Sequence, residues 1–193
     1  MTPFSQLSTN EFRISLSPEQ LRTGQIIQLA LVVAPVLYLL VNLITAATRT
    51  MVPPEEVDVE YVQLLTGIAV GFLPVALIAG RLLYNSRFTE EELKKGEANI
   101  PMAEDGTLLK DSPAIRAVAV IRTAMLMQSA LSEGAAMLGL VVLTIAAAGG
   151  YLLTIPWIWL NALPLTVHTV LILINFPTVD HLTAVYEQKF KQR

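Results

Sequence analysis

The sequence predicts an all-α membrane protein: four transmembrane helices forming two repeated antiparallel hairpins, with the N and C termini cytoplasmic. Three observations predict it. Of 193 residues, 53% are hydrophobic and only 15% charged, where an average soluble domain carries about 25% charged residues. The charge gathers in the first 22 residues, in segments 49–60 and 81–122, and in the last 14 residues. Between these lie four apolar stretches, each near the roughly 20 helical residues that a bilayer requires. A net charge of −3 leaves no basic footprint for nucleic acid. The absence of cysteine removes disulfides, thiol chemistry and cysteine-based metal sites.

The chain reads as a single transmembrane domain, 1–193, with hairpin one over about 17–84 and a cytoplasmic loop over 85–113. Hairpin two covers about 114–176 and an amphipathic tail 177–193. Ser17, Pro18 and Glu19 supply an N-cap, a first-position proline and an acidic first turn, so the first helix begins ahead of its apolar span, Gly24–Ala47. That span is too long for a signal-peptide core of about 7–15 residues and reads as an uncleaved helix. The second span is Tyr61–Leu83. Thr89-Glu90-Glu91-Glu92 is a capping-box signal for a short charged helix reaching Lys95. Asp111-Ser112-Pro113 opens the third helix, whose span is Ala124–Ala148. Gly149-Gly150 leaves almost no loop before the fourth span, Tyr151–Phe176. Pro35, Pro74 and Pro164 each remove an internal hydrogen bond, and so are expected to kink their spans. Trp157 and Trp159 fall where indoles favour the membrane interface. In the tail, Val179, Leu182, Val185, Tyr186 and Phe190 have near-helical spacing; with Lys189, Lys191 and Arg193 they suit an anionic inner leaflet.

Orientation follows from lysine and arginine. Twelve of the thirteen basic residues fall in the N-terminal segment, the middle loop with its helix ends, or the tail; only Arg49 lies on the other side, beside Glu55, Glu56, Asp58 and Glu60. Both termini and the middle loop are therefore expected inside. An internal repeat accompanies this topology. At an offset of 100, Leu21-Arg22-Thr23 meets Ile121-Arg122-Thr123, Gln28 meets Gln128, and Ala30-Leu31 meets Ala130-Leu131. At an offset of 90, Tyr61 meets Tyr151 and Leu73-Pro74 meets Leu163-Pro164. Apolar helices align partly because they use few residue types. The matched Arg, Thr, Gln and Pro positions favour a duplicated hairpin in parallel orientation.

The stretch Ile121-Arg122-Thr123 … Ala130-Leu131-Ser132-Glu133-Gly134-Ala135-Ala136, with Leu21-Arg22-Thr23 and Phe176-Pro177-Thr178, resembles small, uncharacterised bacterial four-helix membrane proteins. That resemblance implies a multi-pass protein of the bacterial cell (inner) membrane. Glu133 among Gly134, Ala135, Ala136 and Gly139 is also distantly similar to subunit c of rotary ATP synthases, which carries a buried carboxylate in a small-residue helix. Subunit c carries it on the second helix of its hairpin, whereas Glu133 lies on the first helix of the second hairpin.

Glu133 is the chemical candidate, because a charge at bilayer depth costs about 2.5–3.5 kcal/mol on insertion scales. Glu133 lies 16 residues before the Gly149-Gly150 turn and His168 lies 18 after it, so the two share a depth and a Glu133–His168 contact is geometrically allowed provided both face the hairpin interface; such a pair could bind or relay a proton. Gln28, Gln128, Ser129, Ser132 and Asn161 are candidate supporting polar groups. The leading reading makes Glu133 a neutral interhelical hydrogen-bonding group, stabilising by roughly 0.6–2 kcal/mol, with proton or ion handling and contact with a lipid or small molecule as the alternatives. Gly67-xxx-Gly71 and Ala135-xxx-Gly139 are spacings that let backbones approach. The sequence carries no nucleophile–base pair, phosphate-binding glycine loop or metal-ligand spacing. The expectation is thus a non-enzymatic structural or accessory component without cofactor, whose partners are the lipid bilayer and a homo-oligomer or membrane complex. The alternative is a proton- or ion-coupled component using Glu133.

Overall fold

The computed structural model describes residues 7–53, 57–88 and 113–191. Glu55, Glu56, the segment Thr89–Lys95 and the cap residues Asp111 and Ser112 lie outside the described residues. Every regular element among those described is helical: α1 (Thr9–Ser15), α2 (Pro18–Thr48), α3 (Val59–Ser86), α4 (Pro113–Ala148), a 3₁₀ segment (Pro156–Ala162), α5 (Leu163–Ile174), α6 (Val179–Tyr186) and a closing π-turn (Glu187–Lys191). Four stretches are long and apolar enough to cross a membrane: α2, α3, α4 and the combined 3₁₀–α5 segment. The architecture is that of a multi-pass membrane protein.

The helix starts follow the local chemistry. Ser17 Oγ accepts from the Gln20 amide at 3.2 Å, and Asp58 Oδ1 accepts from the Tyr61 amide at 3.1 Å, capping α2 and α3. With 36 residues, α4 is about 54 Å long, well beyond a hydrocarbon core of about 30 Å. The fourth span departs from the continuous helix expected over Tyr151–Phe176. Pro164 has no N–H to offer the Leu160 carbonyl, which accepts instead from Leu163 in a tighter turn. Seven 3₁₀ residues and twelve α residues together reach about 32 Å, enough to span. Pro164 therefore occupies the first turn of α5, where no internal bond is lost, and does not kink a continuous span.

The chain divides into two compact units. The first comprises Met1–Gln28, Arg81–Gln128 and Asn175–Arg193. Its core is rich in rings: Phe12 stacks on Tyr186 with centroids 4.2 Å apart, Tyr186 on Phe190 at 5.3 Å, and Phe88 meets Phe190 edge-on at 5.8 Å. Tyr186 Oη donates to the Leu7 carbonyl at 2.9 Å. Leu182, Val185, Tyr186 and Phe190, the face expected to meet the leaflet, are buried in this core. The tail is amphipathic as expected, but its apolar side is already covered by protein. α1 lies ahead of the hairpins expected from sequence; it contributes Phe12 to the same core and is held by a Ser8–Glu11 capping box.

The second unit comprises Leu29–Gly80 and Ser129–Ile174. Its interior is made of small and aliphatic side chains on α4, including Ala135, Ala136, Leu140, Leu143, Ala146 and Ala147. Half of the most apolar stretch of α4 is buried, against 17% of that of α2. Exposed Leu29, Leu37, Leu40 and Ile44 of α2 and Leu64, Ile68, Val75 and Ile78 of α3 form the apolar exterior. A soluble monomer rarely exposes so much contiguous apolar surface, whereas lipid tails cover it without cost. At the turn after α4, Gly150 has φ +78°, and a Cβ there would overlap the Thr50 carbonyl oxygen. The Val52 amide donates to the Gly150 carbonyl at 3.1 Å, tying the two hairpin turns together.

Candidate functional site: a buried histidine and a half-buried glutamate

Three clusters of polar side chains lie inside the second unit. The first centres on His168 of α5, fully buried. Its Nε2 lies 3.0 Å from the Leu31 carbonyl oxygen, which only accepts, so Nε2 carries a proton. Its Nδ1 lies 2.8 Å from Ser132 Oγ, and Ser132 Oγ lies 2.9 Å from the Ser129 carbonyl. Ser132 has one hydroxyl proton. That proton is shared between His168 Nδ1 and the Ser129 carbonyl, so Ser132 links the ring to the backbone of α4.

A second cluster joins Asn161 Nδ2 to Thr66 Oγ1 at 2.9 Å and to the Ile158 carbonyl at 2.8 Å, while Asn161 Oδ1 is buried without a partner. Here the Ala135-xxx-Gly139 spacing acts: a Cβ on Gly139 would overlap the Asn161 carbonyl oxygen. In the third, Asn42 Nδ2 donates to the Leu140 carbonyl at 3.3 Å, and Thr144 Oγ1 lies 3.0 Å from both Asn42 Oδ1 and Tyr38 Oη. Sequence reasoning does not single out Asn42, Tyr38, Thr144 or Thr66. An asparagine inside an apolar run, as at Asn42, is the available signal.

Glu133 does not join His168. Both ring nitrogens of His168 are engaged by Ser132 and Leu31, so the Glu133–His168 contact that their shared depth allows is not formed. The helical step explains it: Ser132 and Glu133 are neighbours about 100° apart round α4, and only Ser132 faces α5. Glu133 is half-buried, with no hydrogen bond or ion pair among the described residues. It flanks an exposed stripe of α4 formed by Ala130, Gly134, Met137, Leu138 and Val141. A Cβ on Gly134 would meet nothing within 4 Å.

The other supporting residues divide between the units. Ser129, Ser132 and Asn161 belong with His168 and Glu133, whereas Gln28 and Gln128 belong to the first unit. Gln28 is buried and lines a small recess with Gly24, Arg122, Met125, Leu126 and Pro177. Gln128 is half-buried. Gly67 and Gly71 of α3 are open: a Cβ on either would meet nothing within 4 Å, so that spacing brings no helix close within the chain. Among the described residues, no group of three or more His, Asp or Glu side chains is placed to hold a metal ion. Compared with protein-family models, with curated proteins and with solved structures, the chain matches none.

Proposed function

We propose that this protein is an accessory component of a bacterial cell-membrane assembly, built from a duplicated hairpin with both termini and the middle loop in the cytoplasm, and without enzymatic activity. The observation that carries the reading is Glu133: a carboxyl at span depth, half-buried beside an open apolar stripe and without a partner among the described residues of its own chain. Such a group is costly against lipid and is relieved by a hydrogen-bonding helix from outside the chain. A second copy is the simplest source of that helix. Interhelical hydrogen bonds of this kind contribute about 0.6–2 kcal/mol. The test is the assembly state of the full chain in mild detergent, read by native mass spectrometry. Glu133→Gln, which still hydrogen-bonds, is expected to assemble as the wild type does, and Glu133→Leu to dissociate. An intact Glu133→Leu assembly would overturn the proposal.

A second reading is favoured by the same placement. A half-buried carboxyl beside an exposed apolar stripe is placed to take up and release a proton, as in the subunit c analogy, with His168 and Ser132 as a separate buried pair. Under that reading, Glu133→Gln abolishes a pH-dependent activity while assembly survives.

A further inference from the structure

The first unit contains a recess of about 200 Å³ lined by Gln20, Ile115, Val118, Ala119, Arg122, Thr123 and Leu126. Three of its polar groups lack partners among the described residues. The Arg122 guanidinium is half-buried and makes no ion pair or hydrogen bond. The Thr123 hydroxyl is likewise unpartnered. Gln20 is 9% exposed and its Oε1 is buried without a hydrogen bond. Among the described residues no carboxylate lines the recess, and the rest of that lining is apolar.

We infer that this recess binds the phosphate of an anionic glycerophospholipid headgroup, on the premise that the chain spans a membrane. Arg122 offers a planar fork of N–H donors matched to phosphate oxygens, and Thr123 adds a hydroxyl donor beside it. The amide of Gln20 complements a headgroup that carries its own hydroxyl. Ile115, Val118, Ala119 and Leu126 suit the glycerol backbone. The place along the chain agrees: Arg122 and Thr123 immediately precede the apolar span that opens at Ala124, which sets them at headgroup depth. A volume of about 200 Å³ falls below the roughly 300–1,000 Å³ of whole small-molecule sites. It fits a headgroup whose acyl chains remain outside. Free phosphate shares the recognised chemistry, and the apolar wall next to the span argues for the lipid.

The test uses the full chain in detergent, with bound lipid counted by native mass spectrometry after addition of phosphatidylglycerol, phosphatidylcholine, glycerol 3-phosphate or inorganic phosphate. Phosphatidylglycerol is expected to be retained over phosphatidylcholine. Arg122→Gln is expected to weaken that retention about five-fold, the effect of one basic residue near an anionic surface. Arg122→Lys restores part of it, and Arg81→Gln, a cation outside the recess, leaves it unchanged. Circular dichroism of each variant separates misfolding from lost binding, and Thr123→Val provides a second, milder lesion if Arg122→Gln does not fold. Equal retention by the wild type and both recess variants would overturn the site. Equal competition by glycerol 3-phosphate or inorganic phosphate would overturn its assignment to lipid. Failure of the wild type to enter bilayers at all would overturn the spanning premise instead.

Discussion

The two units of this chain are held together by different chemistry. In the first, five rings (Phe12, Tyr84, Phe88, Tyr186 and Phe190) belong to one core, while ionic groups such as Arg13 and Asp180 lie exposed on its surface. In the second, the core is alanine, leucine and isoleucine, and fully buried His168 and Asn161 sit within it. The difference is the one that two solvents, water around the first unit and lipid around the second, would produce. Where water surrounds a unit, burying large apolar side chains is itself the driving force. Between helices in lipid that force is absent, so close backbone approach and hydrogen bonds must supply the cohesion.

Substitutions distinguish the two regimes, and the largest effect belongs to the ring core. Phe12→Ala removes a fully buried ring stacked on Tyr186 and is expected to destabilise the first unit by about 3–5 kcal/mol. Thermal unfolding together with proteolysis of the tail would register it, and an unshifted profile would mean that α1 is not part of that core. Next comes the small-residue contact of the second unit. Gly139→Ala places a methyl on the Asn161 carbonyl and is expected to cost about 1–3 kcal/mol. Gly134→Ala, into open space, is expected to be neutral or stabilising. Equal behaviour of the two variants in a denaturation series would contradict the close approach at Gly139.

The smallest effect is a pH dependence confined to the first unit. Partial burial lowers the pKa of His181 on α6 below the ordinary value of 6.5. The unfolded chain therefore binds this proton more readily than the folded one. Stability is full above about pH 6.5 and declines as pH falls through the lowered folded pKa. Glu11 acts in the same direction at lower pH. The hydrogen bond from the Ser8 amide holds its pKa below the usual carboxylate value, and its contribution is lost on acidification through that lowered pKa. His181→Gln is expected to flatten the first decline and leave the second. A profile unchanged by the variant would remove His181 from the account.

The spans and the helix starts at Pro18 and Pro113 are legible in the sequence because hydropathy, capping residues and prolines act locally. The fourth span is legible in extent and not in kind. A lone proline inside an apolar run reads as a kink, and only the Leu163-to-Leu160 hydrogen bond reveals the 3₁₀ turn before it. Polarity and depth point to both Ser132 and His168, yet they pair the histidine with the wrong neighbour, because depth along a helix carries no azimuth. Ser132 and Glu133 differ by one residue in depth and about 100° in direction. The tail's apolar residues do share one face, as their spacing predicts. What covers that face depends on Phe12, some 170 residues away in sequence, and no local pattern encodes that partner.

On the proposed reading, half-buried Glu133 lies beside an uncovered stripe of α4 on the single chain and is covered in the membrane by a helix from outside it. Labelling with a hydrophobic carbodiimide, which reacts with accessible carboxyl groups in apolar surroundings, tests this directly when modification at Glu133 is quantified by peptide mass. Strong labelling is expected in chains dispersed singly in detergent, with protection in intact membranes. Absence of labelling in the dispersed chain, or equal labelling in both states, would contradict the claim.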